Sequence, residues 1–284
     1  MEPKPRLIED DALRATVLDI RYKGYAVIEK FCSEELAALM LHLVESDYQP
    51  EPIVRRNLSP NQALDKYIYH LQFKNKKYLD LLTESNILQI LIPFLNDPYY
   101  RQIPDNLPNF LLGYYNARSS VAALPLHQDN MLVYRGGTPI SMQIAISLSG
   151  QNRSNGATIL VPGSHMSGSL ADREYDNAEI LDLNPGDAAI WDSRLWHGAL
   201  ENTSGMDRWS LIGTFRPWWA KQNFDPVRGL SEPLFAAMDN QQKALLGFLS
   251  LPVVDDLESV SIKLGYDDLL GSIREYRERR TNEG

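Results

Sequence analysis

A chain of 284 residues with 44% hydrophobic and 23% charged content has ordinary globular composition and material for a large core. Its formal net charge of −9 argues against a nucleic-acid backbone as the main partner, since phosphate recognition needs clustered positive charge. The single Cys32 rules out an intramolecular disulfide and fits a reducing compartment. Met1 to Arg6 lacks the apolar run of a signal peptide, and the longest strongly apolar segment, Ile87 to Leu95, is far too short to span a bilayer. These features predict a soluble, cytoplasmic protein with no membrane or nucleic-acid partner; they leave the oligomeric state open.

Residues 9–23 have weak helical periodicity that stops at Gly24, and Tyr25 to Glu29 reads as a short strand. Ser33 can cap the next helix, with Glu34 and Glu35 in its first turn. There Leu36, Leu39, Met40, Leu43 and Val44 share one face, and His42 lies off that stripe. Pro50 to Pro60, which includes Arg55 and Arg56, reads as a loop. Helical stretches follow to residue 95, the clearest from Tyr78 to Leu91, with Lys74, Lys76 and Lys77 as a solvated basic face. Asp97-Pro98 closes this region, and a loop with Pro104 and Pro108 leads on.

The texture changes at residue 109. Short apolar or alternating runs, punctuated by Gly, Pro, Asn and Ser, predict strands at 109–116, 126–134, 140–148, 157–161, 179–182, 188–192, 195–200 and 208–216. So many short strands imply a sandwich or barrel. Helical texture returns after 220, including Leu234 to Leu249 and Leu269 to Arg279. The expectation is a mainly β protein with helical flanks in one domain over 1–284, with a helical part at 1–108, a β core at 109–219 and a second helical part at 220–284.

Two of the five histidines fall in segments that can form a metal site. Residues i and i+2 of a strand share a face, so His127 and Asp129 can grip one ion while Gln128 points away. His197 must come from another strand. It follows Asn184-Pro185-Gly186-Asp187, with Pro and Gly placed as a type II turn wants them, and the run Ala188 to Trp191. Two imidazoles and one carboxylate on one face hold a redox-active iron and leave neighbouring positions open. Arg208 lies eleven residues beyond His197, with Ser210 next on the same face. A guanidinium holds a carboxylate by a bidentate, charge-assisted fork, as a dicarboxylate chelating the iron at its other end would need. In the strand 141–148, Met142, Ile144, Ile146 and Leu148 form one face and Ser141, Gln143, Ala145 and Ser147 the other. The second face either meets solvent or lines a polar cavity.

Taken in order, His127-Gln128-Asp129, Ile144 to Leu148, Gly156-Ala157, Val161 to His165, Pro185-Gly186-Asp187, Trp191-Asp192-Ser193, His197-Gly198 and Arg208 carry a resemblance. The chain resembles the phytanoyl-CoA dioxygenase family of iron(II)/2-oxoglutarate oxygenases, specifically over about residues 109–216 and diffusely elsewhere. The resemblance implies a double-stranded β-helix, a jelly-roll barrel with the iron near its open end. It implies Fe(II), 2-oxoglutarate and O₂ as cofactors, with His127, Asp129 and His197 as iron ligands and catalytic set. Arg208 becomes the partner of the distal 2-oxoglutarate carboxylate, with Ser210 as a helper. The implied reaction is hydroxylation, or another C–H oxidation, of a small molecule, with decarboxylation of 2-oxoglutarate to succinate and CO₂. Many family members carry an aromatic residue where this chain has Gln143, which in a barrel can hydrogen-bond 2-oxoglutarate. Related halogenases have a small residue in place of Asp129, so its presence favours oxygen insertion or another hydrogen-abstraction outcome. Activity should fall on acidification as the imidazoles protonate.

Other residues carry less. His165 lies in a turn signal and reads as structural, with replacement of His197 as ligand the alternative; His70 reads as surface or satisfied core. Tyr114-Tyr115 and Trp218-Trp219 read as packing, with at most one of each pair toward the cavity. Asn116, Gln128, Asn130, Met131 and Arg194 are near enough in sequence to the metal to touch substrate. Two other functions stay open: a non-catalytic jelly-roll binding module, and a zinc or manganese cupin-type enzyme, whose sites usually use His-x-His with a Glu. A small organic metabolite is the favoured substrate. An acyl-CoA, whose phosphates could meet Arg55-Arg56 and Lys74 to Lys77, is the alternative.

Overall fold

A computed structural model describes residues 10–50, 65–97, 107–129, 137–167 and 177–248. Helix α1 (Asp11–Lys23) starts where the Asp10 carboxylate accepts from the Ala12 and Leu13 amides at 2.8 and 3.2 Å. It ends at Gly24, whose φ of 87° is the left-handed cap that glycine adopts without strain. Strand β1 (Tyr25–Ile28) follows, then α2 (Glu34–Asp47), capped by Ser33 as the sequence predicts. The buried face of α2 is rotated from the expected one: Ala37, Met40 and Val44 are buried, and Leu39 is exposed. At roughly 100° per residue, Leu39 falls on the far side of the Ala37–Met40–Val44 row. His42 is exposed, as expected.

Strand β2 (Lys66–Ile68) has no counterpart in the predicted elements. The single helix expected over Tyr78 to Leu91 is two, α3 (Lys76–Thr83) and α4 (Ile87–Leu95). Between them the Ser85 hydroxyl donates to the Leu82 carbonyl at 3.1 Å, a side-chain bond that competes with helix continuation. Lys76 pairs with Asp80, and Lys74 and Lys77 are exposed, so the basic cluster is a solvated face.

The remaining strands are β3 (Phe110–Ser119), β4 (Leu124–His127), β5 (Met142–Ser147), β6 (Thr158–Leu160), β7 (Glu179–Ile180), β8 (Ala188–Asp192), β9 (His197–Ala199) and β10 (Ser210–Pro217). Each overlaps a predicted run. They form two antiparallel sheets, ordered β1-β8-β5-β10-β3-β2 and β4-β9-β6-β7. The helical first part of the chain therefore supplies both edge strands of the larger sheet.

Alternation along β5 decides which face meets what. Met142, Ile144 and Ile146 join the large core with Met40 and Val44 of α2 and Leu88 of α4. Gln143, Ala145 and Ser147 point the other way and are equally buried. On that side Ala145, Ala189, Trp191 and Tyr25 of the larger sheet meet Leu160, Leu181 and Leu183 from the smaller sheet's side. The polar face of β5 thus lines the space between the sheets and does not meet solvent.

After β10 come α5 (Pro226–Gly229), α6 (Glu232–Ala237) and α7 (Asn240–Leu245). The helix expected from Leu234 to Leu249 is interrupted at Met238-Asp239, where Asp239 builds a capping box for α7. Phe235, Leu245, Leu246 and Phe248 join the same core. Arg55-Arg56, Pro104, Asn130, Met131, the rest of the 126–134 run, Leu249 and the 269–279 helix lie outside the described residues. Among the described residues no helix is long and apolar enough to cross a membrane.

Candidate metal centre

Strands β4 and β9 are antiparallel neighbours, with His127 directly opposite His197. Gly198 permits this approach: a Cβ there would sit 2.5 Å from the Leu124 carbonyl oxygen. His197 is delivered by the turn after β8. There the Asp192 carboxylate takes Arg194 Nε and Nη2 at 3.0 and 2.6 Å, and the Leu195 amide donates to the Asp192 carbonyl at 2.8 Å. Both members of this ion pair are buried. The Asp129 amide donates to the Ser193 carbonyl at 3.1 Å, and the Gln128 side chain donates to the Arg194 carbonyl. Gln128 and Arg194 therefore brace the turn that brings the histidine to the carboxylate. Asp129 itself lies past the end of β4, so a bend, not the pleat of a strand, turns it toward His127.

The three predicted ligands converge, with all their ligand atoms within 4.8 Å of one another. His197 Nε2 is 3.2 Å from Asp129 Oδ2, and His127 Nε2 is 3.5 Å from Oδ1. Each ring also places Nδ1 2.9 Å from the carbonyl two residues back, Pro125 for His127 and Leu195 for His197. A carbonyl can only accept, so each Nδ1 carries a proton, and each Nε2 faces the carboxylate, where it either donates a second proton to Asp129 or offers its lone pair to a cation. In the deprotonated rings those lone pairs and the Asp129 oxygens face one another across the space a cation would occupy. The donor set fits a metal ion on that ground. Hydrogen bonding with Asp129 raises the His127 pKa above the ordinary imidazole range, partly opposed by burial. Burial pushes the Asp129 pKa up, but hydrogen bonds from both histidines outweigh it and hold the carboxyl well below the usual range.

Arg208 enters the space between the sheets just ahead of β10 and is 7% exposed. Its Nη1 donates to Gln151 Oε1 at 3.2 Å and to Ser210 Oγ at 3.4 Å. Among the described residues no carboxylate pairs with it, and its Nε has no hydrogen-bond partner. Burial lowers its pKa to about 10, with Arg118 adding to the effect and Asp65 opposing it. Gln151 Nε2 and Ser147 Oγ are likewise buried and unpartnered. Ser147 stands opposite Ser210 in the β5–β10 register, so these groups form one cluster of unused polar atoms around a cation. Gln151 was not among the sequence candidates. It follows a turn glycine, and bonds of Leu148 and Ser149 to Trp209, with the Gln151–Leu183 bridge, bring it beside Arg208.

Gln143 is 2% exposed and reaches the metal set, where its amide donates to Asp129 Oδ2 at 2.5 Å. Tyr114 and Thr214, also missed as site residues, hold the rest of that amide. Tyr114 points into the inter-sheet space while Tyr115 is buried in the core, as alternation requires. His165 bonds the Arg21 carbonyl at 3.1 Å and stands apart from the metal set. His70 packs against Tyr69, Phe73 and Phe224, with burial lowering its pKa, and its amide donates to Asn116 Oδ1 at 3.1 Å. Trp218 Nε1 donates to Asp97 at 3.0 Å, and Trp219 is exposed.

A family model described as Phytanoyl-CoA dioxygenase (PhyH) matches residues 20–210, which include all three converging ligands and Arg208. The chain belongs to the phytanoyl-CoA dioxygenase family. An uncharacterized relative from Mycobacterium tuberculosis is 34% identical over 131 residues, 45% of this chain and 48% of that protein. The match thus spans about half the length of that curated relative. Two fungal relatives are dioxygenase andF of Emericella variicolor, 26% identical over 69% of this chain and 73% of its own, and dioxygenase cdmA of Talaromyces verruculosus, 30% identical over 65% and 64%. Among solved structures, the non-heme alpha-ketoglutarate dependent epimerase SnoN from nogalamycin biosynthesis aligns with a TM-score of 0.56 at 17% identity, covering 72% of this chain and 83% of its own. HygX from Streptomyces hygroscopicus, solved with nickel, 2-oxoglutarate and hygromycin B, gives 0.54 at 16% identity over 77% and 95%. At these identities the likeness speaks for the fold, and the two sheets of this phytanoyl-CoA dioxygenase family member form a double-stranded β-helix.

Proposed function

We propose that this family member is an Fe(II)/2-oxoglutarate-dependent oxygenase that oxidises a C–H bond of a small organic molecule. One observation carries the reading: a three-ligand cation site shares the inter-sheet region with a buried guanidinium that lacks a carboxylate. His127, Asp129 and His197 would hold Fe(II). Arg208, assisted by Ser210, would take the distal carboxylate of 2-oxoglutarate, and the unpartnered Gln151 and Ser147 would complete its hydrogen bonds. When bound, the iron with 2-oxoglutarate and O₂ supplies the oxidising chemistry, and succinate and CO₂ leave. The chain does the rest. Its carbonyls hold both imidazoles by Nδ1, Asp129 stays ionised, and Arg208 orients the cosubstrate.

The dioxygenase names of the fungal relatives support this activity, as do the 2-oxoglutarate-bound neighbours. The nogalamycin and hygromycin B complexes of the neighbours support a small-molecule substrate. Helices from both ends pack into one core with the larger sheet, which supports reading the chain as a single oxygenase domain.

The test is anaerobic addition of Fe(II) and 2-oxoglutarate, watching for the visible metal-to-ligand charge-transfer band. No band in the wild type, or an undiminished band in His127→Ala, would sink the reading. Substrate-dependent succinate release separates an enzyme from a binding module.

A further inference from the structure

We infer that Gln143 is a positioning residue that sets the orientation of the metal-binding carboxylate, and is not a contact for the cosubstrate; this rests on the oxygenase reading above. Three adjacent strands build the device. Gln143 of β5 is opposite Thr214 of β10, which is opposite Tyr114 of β3. The Asp129 carboxylate can only accept, so the amide atom 2.5 Å from its Oδ2 is the nitrogen, and Gln143 Oε1 is left to accept from the Thr214 hydroxyl at 2.5 Å. Tyr114 Oη sits 3.0 Å from Oε1 and 2.9 Å from Nε2, closing the amide from its remaining side. Gln143 and Thr214 are both 2% exposed, so water has little access to the bond between them.

The consequence falls on the two oxygens of Asp129. Oδ2 receives the Gln143 amide proton, which occupies one of its lone pairs and weakens it as a metal donor. Oδ2 also lies 3.2 Å from His197 Nε2, so it is the committed oxygen, and Oδ1, 3.5 Å from His127 Nε2 and with no amide donor, is left as the better ligand atom. A carboxylate held this way binds a metal through one oxygen and keeps neighbouring coordination positions open. With its oxygen taken by Thr214 and its nitrogen shared between Asp129 and Tyr114, the amide has no group left for 2-oxoglutarate. A phenylalanine at this position would offer Asp129 no donor.

The experiment titrates metal alone, using Co(II) or anaerobic Fe(II), into folded wild-type and Gln143→Leu protein, and then titrates 2-oxoglutarate at saturating metal. The expected result is metal binding weakened about 10- to 100-fold, the usual range for losing a partner of a ligand, with 2-oxoglutarate affinity within about twofold of wild type. Unchanged metal affinity with 2-oxoglutarate binding weakened tenfold or more would make Gln143 a cosubstrate contact and overturn the inference. Thr214→Val keeps the side-chain shape and guards against misfolding of the first variant. It should weaken metal binding by about 3- to 10-fold, the range of one lost hydrogen bond. Because it acts through Gln143, the double variant should be no worse than Gln143→Leu alone; additive losses also overturn the inference. A wild-type chain that binds no metal brings down the oxygenase reading itself. The outcomes above remove only the role of Gln143.

Discussion

Replacing Arg208 by methionine separates a ligand-binding guanidinium from a structural one, because the two roles predict opposite signs. In the ligand-free protein this buried cation has no carboxylate partner among the described residues, and its pKa falls from 12.5 to about 10. That drop corresponds to roughly 3 kcal/mol of unfavourable burial of the charged form, which is still the dominant form at neutral pH. Against it stand two weak hydrogen bonds from Nη1, to Gln151 and Ser210 at 3.2 and 3.4 Å, together contributing about 1–2 kcal/mol. The Arg208 backbone amide keeps its 3.0 Å bond to Ser119 in either protein. Arg208→Met should therefore leave the ligand-free chain as stable as wild type or up to about 2 kcal/mol more stable, with an unfolding temperature unchanged or raised by a few degrees. Binding of 2-oxoglutarate should suffer in the opposite direction. Loss of a buried charge-assisted fork costs about 3–5 kcal/mol, on the order of 10²- to 10³-fold in Kd. Thermal unfolding of the metal-free protein and calorimetric titration of 2-oxoglutarate into Mn(II)-loaded protein read the two effects separately. A fall in unfolding temperature of about 5 °C or more, with 2-oxoglutarate affinity intact, would show Arg208 to be structural and refute the reasoning.

Metal should stabilise the chain by mass action, about 2.7 kcal/mol at a hundredfold excess over Kd, which for this size is on the order of 5 °C. Chelator should reverse the shift, and His127→Ala should abolish it in a thermal melt; an equal shift in that variant counts against the triad. Metal affinity should fall as the solution is acidified, because the His127 ring must lose its proton to bind and its partnership with Asp129 raises its pKa. The decline should begin above 6.5, the pH expected of a free imidazole, and approach about tenfold per pH unit, checked by Co(II) titration between pH 8 and pH 6. Gly198→Ala should wedge β4 from β9, since its Cβ would lie 2.5 Å from the Leu124 carbonyl oxygen. That change should weaken metal binding by at least about tenfold, whereas Gly137→Ala, whose Cβ meets nothing within 4 Å, should leave it unchanged in the same titration.

Much of this protein was legible in its sequence because the signals are local. The stop at Gly24, the cap at Ser33 and the Asn184 to Asp187 turn each depend on a few adjacent residues, and each appears where turn and cap chemistry put it. The strand runs between 109 and 216 were legible for the same reason, since period-two alternation is written along one segment. The choice of His127, Asp129, His197 and Arg208 followed from residue type and order. What the pattern could not contain is register between segments far apart in the chain. Only the pairing of β5 with β10 and β8 turns Gln143 and Ser147 inward, and only long-range bonds to Trp209 and Leu183 bring Gln151 to Arg208. Packing also chose Ala37 over Leu39 for the buried face of α2, a choice that helical spacing alone leaves open. The sequence by itself determined which side chains could hold a metal and which guanidinium is proposed to meet a dicarboxylate. Tertiary structure decided how they face one another, because a strand's periodicity defines two faces but only its neighbours decide which of them lines the site.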